Sequence, residues 1–554
     1  MSKTGWLYKC KYIPLGLILV FLIPLINFGC ATPTTVTSTV PKTITSTVPP
    51  PPTTPSVQTG GTLKIAIYAD AQNLGWPSAA GNPLAAEVEM REPCLESLAV
   101  FDSAANLVPW LAKDFTADSN AKTFTITLRQ GVTFQDGTPF NATAVKWNLD
   151  KNLATKKSAL AGVTSVDVVD DYTVRLNLST WNNSISQALA DTSTGVMISP
   201  TTYQNGGSTD AARQDWSLHN PVGTGPFQFV SWTRDVKVVY KKFNGYWQKG
   251  KPYLDGVEFD IIADPTVAEL SFIKGDVDIL WEPTASVTKD IQKQGNYNIT
   301  TLQNGLLGAI YGIIGDSANS KSPFSNVQVR QALNYALDKA SLDGLVNLGL
   351  GVVTDQWATP GTWPYNTQIN YTYNVDKAKQ LLTQAGFGTG FTSNLYYDTS
   401  KPQLPILYTA VQSYLSAVGI KVTLQPVDSA KFNTFAVGGW DGLMEWAASM
   451  TPDPVAGTGM ASRFLTTATG PFAKTTIHNT DIDDLINQAL STTSSSTKQS
   501  VTQQLQQVVF QQYAIVTNIF IIPDIVAQRT NVQNSGFGQA TKYQWNPADT
   551  WLKK

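Results

Sequence analysis

Hydrophobic and polar positions along this chain predict strands and helices in turn. From Lys122 to Val132, Phe124, Ile126 and Leu128 fall on one side, the period of two expected of a strand with one buried face. Gln135-Asp136-Gly137-Thr138-Pro139 then predicts a turn, and Asn141 is placed to cap a helix running to about Leu149. Asn326 precedes Val329, Ala332, Leu333, Ala336 and Leu337, a spacing that predicts a helix with one buried stripe. Another helix starts near Asp376, buries Ala378, Leu381, Leu382 and Ala385, and ends at Gly386. Leu407, Ala410, Val411, Tyr414, Leu415 and Val418 form a further stripe, closed by Gly419. Ile420, Val422 and Leu424 then alternate as a strand. Helices and strands following one another at this rhythm predict an α/β fold.

The first 60 residues follow another pattern. Lys3, Lys9 and Lys11 precede a nearly unbroken apolar run from Ile13 to Phe28, and Gly29-Cys30 follows it. A basic leader, a short apolar stretch and a cysteine are the plan of a secretion signal ending at a lipid-modified residue. With 16 residues, and with Pro14 and Pro24 inside it, the run is short for a membrane span. The position three before the cysteine, where lipoprotein signals usually carry leucine, is Asn27. The expectation is therefore a signal peptide over residues 1–30 with lipidation at Cys30; a plain cleaved signal and an uncleaved anchor are the alternatives. Each places the folded part outside the cytoplasm, on the membrane or in the periplasm. Residues 31–60, rich in Thr and Pro, read as an extended tether. At about 3.1 Å per residue it reaches on the order of 90 Å when stretched.

Composition narrows the function classes. The chain is 42% hydrophobic with a net charge of −2, so a basic surface for nucleic acid is not expected. The remaining length exceeds the roughly 250–300 residues at which single cores stop growing, so more than one lobe is expected. With Cys10 in the signal and Cys30 lipidated, Cys94 stands alone, which excludes a disulfide framework and suits a small buried residue.

Several motifs then match in order. Leu95-Glu96-Ser97-Leu98 is followed by Leu107-Val108-Pro109-Trp110-Leu111-Ala112, and Phe124 to Leu128 leads into Arg129, Gly131-Val132 and Phe134-Gln135-Asp136-Gly137-Thr138-Pro139. Pro221-Val222-Gly223-Thr224-Gly225-Pro226-Phe227, Asn244-Gly245-Tyr246-Trp247, Lys274-Gly275-Asp276-Val277-Asp278 and Val329-Arg330-Gln331-Ala332-Leu333-Asn334-Tyr335-Ala336-Leu337-Asp338 come after. Over this length the chain resembles the family 5 extracellular solute-binding proteins, the dipeptide, oligopeptide and nickel receptors of ABC importers. Most of these motifs read as structural. Gly223-Thr224-Gly225-Pro226 lacks the Gly-Lys-Ser/Thr ending of a phosphate loop and reads as a tight passage between lobes. Arg330 is expected to pair with a carboxylate or to cap a helix.

The resemblance implies a two-lobed, periplasmic-binding-protein-like (type II, flytrap) α/β fold with a small extra subdomain. Lobe I would combine residues 60–93, 222–314 and 521–554, subdomain Ib would be 94–221, and lobe II 315–520. It also implies a monomer that holds a small solute in the interlobe cleft and hands it to ABC permease and ATPase subunits, without catalysis and without a cofactor. An oligopeptide is the first expectation for the solute; a sugar or metal chelate is the alternative.

In peptide-binding members a carboxylate three residues after a tryptophan pairs with the peptide ammonium. Here the tryptophan is Trp446, the position three on is Ser449, and one extra residue precedes Asp453-Pro454. Either Asp453 swings in, or the ligand has no free α-amine there. Trp446 reads either as a cleft wall or as core. Trp357 and Trp363, in the Pro/Gly-rich stretch Asp355–Asn366, and Phe432 complete the candidate contacts. Asp441 reads as a turn residue.

Rival functions find less support. A tethered hydrolase would have to work with His219 and His478 alone, and the His-Glu-x-x-His and Gly-x-Ser-x-Gly patterns do not occur. Two scattered histidines also make a protein-built metal site unexpected. An adhesive surface protein would suit the Thr/Pro tether, but no repeats follow residue 60.

Overall fold

The computed structural model describes residues 56–78, 85–191, 193–301, 308–401, 403–457, 459–537 and 545–554. The chain divides into a leader, Met1–Ser56, and a folded body, Val57–Lys554. The signal, Cys30 and nearly all of the tether lie outside the described residues.

Two mixed sheets and one antiparallel sheet organise the folded body. The first has seven strands in the order Phe227–Thr233, Lys237–Lys242, Gly256–Ile261, Thr62–Ile67, Ile279–Trp281, Ile525–Arg529 and Tyr297–Thr301. Helices Pro265–Lys274 and Ala285–Gln294 cover one face through Ala268, Phe272, Val287 and Ile291. The second sheet has six strands: Val352–Val353, Val516–Ile522, Ala309–Gly315, Leu443–Ser449, Phe391–Asp398 and Ile420–Val427. One face packs against helices Val327–Ala336, Val375–Gln384 and Leu404–Ala417, the other against Thr480–Ser491 and Ser495–Gln507. Strands Ala112–Asp118, Thr123–Leu128, Thr173–Leu178 and Val163–Asp170 form a four-stranded sheet with its own core, built from residues 98–197.

The sequence boundaries need correction at the crossings between sheets. Ala309–Gly315 pairs with Leu443–Ser449 on one side and Val516–Ile522 on the other, wholly within the second sheet. The sequence division had given residues through 314, and those from 521 on, to lobe I. Both strands are largely apolar, and an apolar run does not say which sheet it joins.

Alternation, turn and cap residues place the local elements as expected. Phe124, Ile126 and Leu128 are buried on the Thr123–Leu128 strand. Gly137 takes φ +85° in the following turn, where Asp136 accepts from the Thr138 amide. Asn141 accepts from the Ala144 amide at 3.0 Å and starts a helix that continues to Ala154, past the expected end. Asn326 accepts from Gln328, and Asn374 from Lys377, at their helix starts.

The motifs converge on one buried carboxylate. Glu96 accepts from the indole N–H of Trp110 (2.9 Å) and of Trp247 (3.0 Å) and from the hydroxyls of Thr224 (2.9 Å) and Tyr246 (2.8 Å). Four segments distant in sequence are thus tied together at the junction of the insert with the first sheet. Gly223 and Gly225 allow this approach: a Cβ on either would meet the Cys94 backbone at 2.4–2.6 Å. Cys94 itself is buried, and burial pushes its thiol up to about 12. Among the described residues Arg330 meets no carboxylate; it donates to the carbonyls of Phe324 (2.7 Å), Ser325 (2.9 Å) and Tyr513 (2.9 Å), closing a short 3-10 turn.

Candidate functional site

Among the described residues, the insert around the four-stranded sheet (residues 98–197) meets the second sheet's half on two sides of a cavity. On one side, Trp181 and Asn183 dock on the C-terminal end of the Thr480–Ser491 helix. The Asn183 amide donates to Leu490 O (2.8 Å), its side-chain nitrogen to Ala489 O (2.7 Å) and Thr492 O (2.8 Å), and the Trp181 indole to Ser491 O (2.8 Å). The last carbonyls of a helix have no partner within it, so a donor from the opposite element satisfies them. On the other side, Trp363 donates its amide to Ala104 O (3.2 Å) and its indole to Ala105 O (3.1 Å).

Between these contacts lies a cavity of about 320 Å³, lined by Phe101, Leu107, Gln187, Trp363, Asp453 and Lys498 among others. Lys498, in the first turn of the Ser495–Gln507 helix, forms an ion pair with Asp453. Its ammonium also donates to Asn183 Oδ1 at 2.8 Å, and Asp453 accepts from the Val455 amide at 2.9 Å. One ammonium therefore bridges the two sides of the cavity. Asn183→Ala should loosen this bridge: the unliganded variant is expected to be more expanded than the parent in small-angle scattering, and an unchanged radius of gyration would deny the contact a part in closure.

The residues expected from sequence separate into three groups. Asp453 reaches the cavity, but Lys498 already neutralises it, a partner that sequence reasoning missed. Trp357 and Trp446 are buried in the second sheet's core, meeting edge to face at 5.6 Å. Trp446 also packs on Phe464 and Phe472, so in this conformation it is core and not a cleft wall. Ser449 is exposed at the end of its strand, opposite Ala309, and Phe432 is half-buried against the core; neither lines a described cavity. Asp441 accepts from Asn394 and Tyr396, a structural role. Lys498 and Asn183 carried a weak signal: Ser494 caps the helix start, which places Lys498 in a first turn but does not name its partner.

A second cavity, of about 360 Å³, lies where the chain crosses between the sheets and is lined by Glu282, Asn347, Gln403, Pro523 and Asp524. Burial, and then the neighbouring Asp524, raise Glu282 to about 7; burial raises Asp524 to about 6. In the second sheet, burial likewise raises Glu445 to about 7, although its carboxylate accepts from the Asp398 amide at 2.9 Å. A carboxyl group with a raised folded-state pKa stabilises the fold below its unfolded value of about 4.3, and that contribution is lost as pH rises through the folded value. For Glu445 the difference is on the order of 3 kcal/mol. Glu445→Gln should flatten the fall in stability between pH 4.5 and about 7 seen in urea titrations; an equally steep fall in the variant would assign it to other groups.

Among the described residues neither histidine is placed on a serine. His478 bonds to Phe464 O and Ala473 O, and His219 to Asp215 O. Among the described residues no group of three or more His, Cys, Asp or Glu could hold a metal, and no helix is long and apolar enough to cross a membrane.

Comparison with known proteins places this architecture. The family described as bacterial extracellular solute-binding proteins, family 5 (middle), matches residues 106–463, well over half of the chain. The chain belongs to that family. This solute-binding protein is 31% identical over 345 residues to the glutathione-binding protein GsiB of Pectobacterium atrosepticum, covering 60% of this chain. The match spans 63% of that relative's length. Among solved structures, HbpA2 from Haemophilus parasuis superposes with a TM-score of 0.78 at 23% identity, covering 89% of this chain and all of the other. The oligopeptide-binding protein AppA of Bacillus subtilis, solved with a nonapeptide, gives 0.66 at 23% identity, covering 90% of this chain and all of the other. The two-lobed solute-binding fold is thus shared, and the contacts described above are those of this chain.

Proposed function

We propose that this protein captures a peptide-like solute between the insert and the second sheet and delivers it to the permease and ATPase subunits of an ABC importer. The observation that carries this reading is the cavity bounded by both sides and bridged by Lys498, Asp453 and Asn183. To bind a peptide's two charges the Lys498–Asp453 pair would have to open, giving its ammonium to a carboxylate and its carboxylate to an ammonium. The family membership and the name of the GsiB relative, which points to glutathione, a tripeptide, support the same class. Closure follows if the solute binds the closed arrangement better than the open one. Binding would proceed without chemistry on the solute, one solute per chain.

Against an α-amine at the usual place stand Ser449 and the occupied Asp453. They favour the second reading, a sugar or metal chelate in the same cleft. Native mass spectrometry of the protein purified without added solute tests both. A released peptide mass, or a thermal shift with glutathione or short peptides, supports the first reading. A single non-peptide mass with no response to any peptide overturns it in favour of the second.

The leader supports anchoring by a lipid at Cys30, with residues 31–60 as the tether. Cys30→Ser is expected to release the protein from membranes; retention in the membrane fraction would point to an uncleaved anchor.

A further inference from the structure

A third cavity, of about 540 Å³, opens to solvent at the far end of the second sheet and is lined by Ala318, Arg330, His478, Asn479 and Tyr513 among others. Strand Ala309–Gly315 starts opposite Ile522, beside the crossing to the first sheet, and Ile314 near its end lies opposite Val516. Ala318 follows this strand and Tyr513 precedes Val516, so the cavity stands on the order of 20 Å from the crossing, the length of the strand. It shares no lining residue with the interlobe cavity.

No Asp or Glu lines this cavity, and Arg330, which does, is in no ion pair among the described residues. Arg330 is 2% exposed. Its Nε and Nη1 are spent on the carbonyls of Tyr513, Phe324 and Ser325. Its Nη2 meets no acceptor among the described residues, yet it is not one of the fully covered orphan atoms, so it reaches open space on the cavity side. Burial alone pulls the guanidinium down to about 10, with no carboxylate opposing the shift. A buried cation without a counter-charge is unfavourable. The carboxylates of the surrounding segments turn to other donors. Asp481 accepts from the Tyr513 hydroxyl (2.8 Å) and the Ile482 amide (3.0 Å), and Asp316 from Asn319 Nδ2 (3.1 Å) and the Ser322 hydroxyl.

A helix start adds donors to the same cavity. Asn479 heads the helix Thr480–Ser491 but, unlike Asn141, Asn326 and Asn374 at their helices, makes no side-chain cap bond. Its Nδ2 meets no acceptor among the described residues. The first amides of a helix have no acceptor within it and carry partial positive charge. His478 turns both ring nitrogens to carbonyls, Phe464 O (3.1 Å) and Ala473 O (2.7 Å), rather than into the cavity. Guanidinium and amide N–H groups donate and never accept, so a ligand that completes them brings acceptors, and one that also balances the charge is an anion. The planar edge of a guanidinium suits a carboxylate or a phosphate.

We propose that Arg330, with Asn479 and the start of the Thr480–Ser491 helix, binds a small oxyanion, a carboxylate or a phosphate, at a site separate from the solute cavity. The site stands whether the captured solute is a peptide, a sugar or a chelate. The rival occupant is water, which would satisfy the N–H groups and leave the charge uncompensated.

The test is calorimetric titration of the full chain with sodium phosphate and, separately, with sodium acetate, the ionic strength held constant with sodium chloride. Saturable binding of one ion per chain is expected, and whether phosphate, acetate or both bind names the oxyanion. Asn479→Asp keeps a good helix cap and puts a negative charge into the cavity, so it should weaken binding at least about tenfold. Arg330→Lys keeps the charge and loses the fork, and should also weaken binding. Because Arg330 ties three carbonyls, Asn479→Asp alone carries the comparison if Arg330→Lys does not fold. Crystals soaked in selenate locate the ion, and an anomalous peak beside Arg330 is expected. Absence of saturable binding of either ion by the parent, undiminished binding by Asn479→Asp, or selenium found only elsewhere overturns the site.

Discussion

Trp446→Ala is expected to cost about 3–5 kcal/mol of stability, the range for truncating a buried large aromatic. The side chain is fully buried, edge to face with Trp357, stacked on Phe464 at 6.2 Å and 5.0 Å from Phe472. Its strand is central in the six-stranded sheet, with Ala309–Gly315 paired on one side and Phe391–Asp398 on the other. Little room for collapse exists around so many fixed rings, so the cavity left by truncation would persist. Trp446→Phe should cost much less, because the ring contacts are mostly kept. Urea midpoints of the two variants check this. A parent-like midpoint for Trp446→Ala would return the residue to the cleft wall that the sequence suggested.

The second large effect concerns the ion pair. Asp453→Ala should destabilise by about 3–5 kcal/mol, since it leaves the Lys498 ammonium largely buried without its partner. Lys498→Met should act similarly on Asp453 and in addition remove the bond to Asn183 across the cavity. The double variant Asp453→Leu with Lys498→Met takes out both charges and should recover much of the loss, because a hydrophobic pair can replace a buried ion pair. A double-mutant cycle by urea denaturation measures the coupling. Additive single effects, each within about 0.5 kcal/mol of the parent, would show that the pair is solvated and idle. Binding would respond separately: loss of Lys498 weakens the bridge between the two sides even where stability is restored.

The two predictions mark where sequence reasoning reached its limit. Leu443, Met444, Glu445 and Trp446 are all buried, because this strand is covered on both faces. Alternation, the signal that identified Thr123–Leu128, is absent from such a strand, and the direction of Trp446 is hidden with it. Asp453 was singled out from the family pattern. Its partner, however, is 45 residues further on, and the group that shares that partner, Asn183, lies 315 residues before Lys498. No local spacing reports contacts of that range.

Sequence by itself determined the α/β class, the capped helices at Asn141 and Asn326, the turn at Gly137 and the family, all of which rest on short-range backbone preferences or ordered motifs. The tertiary structure alone decided which sheet each apolar strand joins and which carboxylate is already neutralised. Those outcomes depend on what is packed opposite a residue, and burial turns each unmatched charge or donor into an energy that the chain order does not encode.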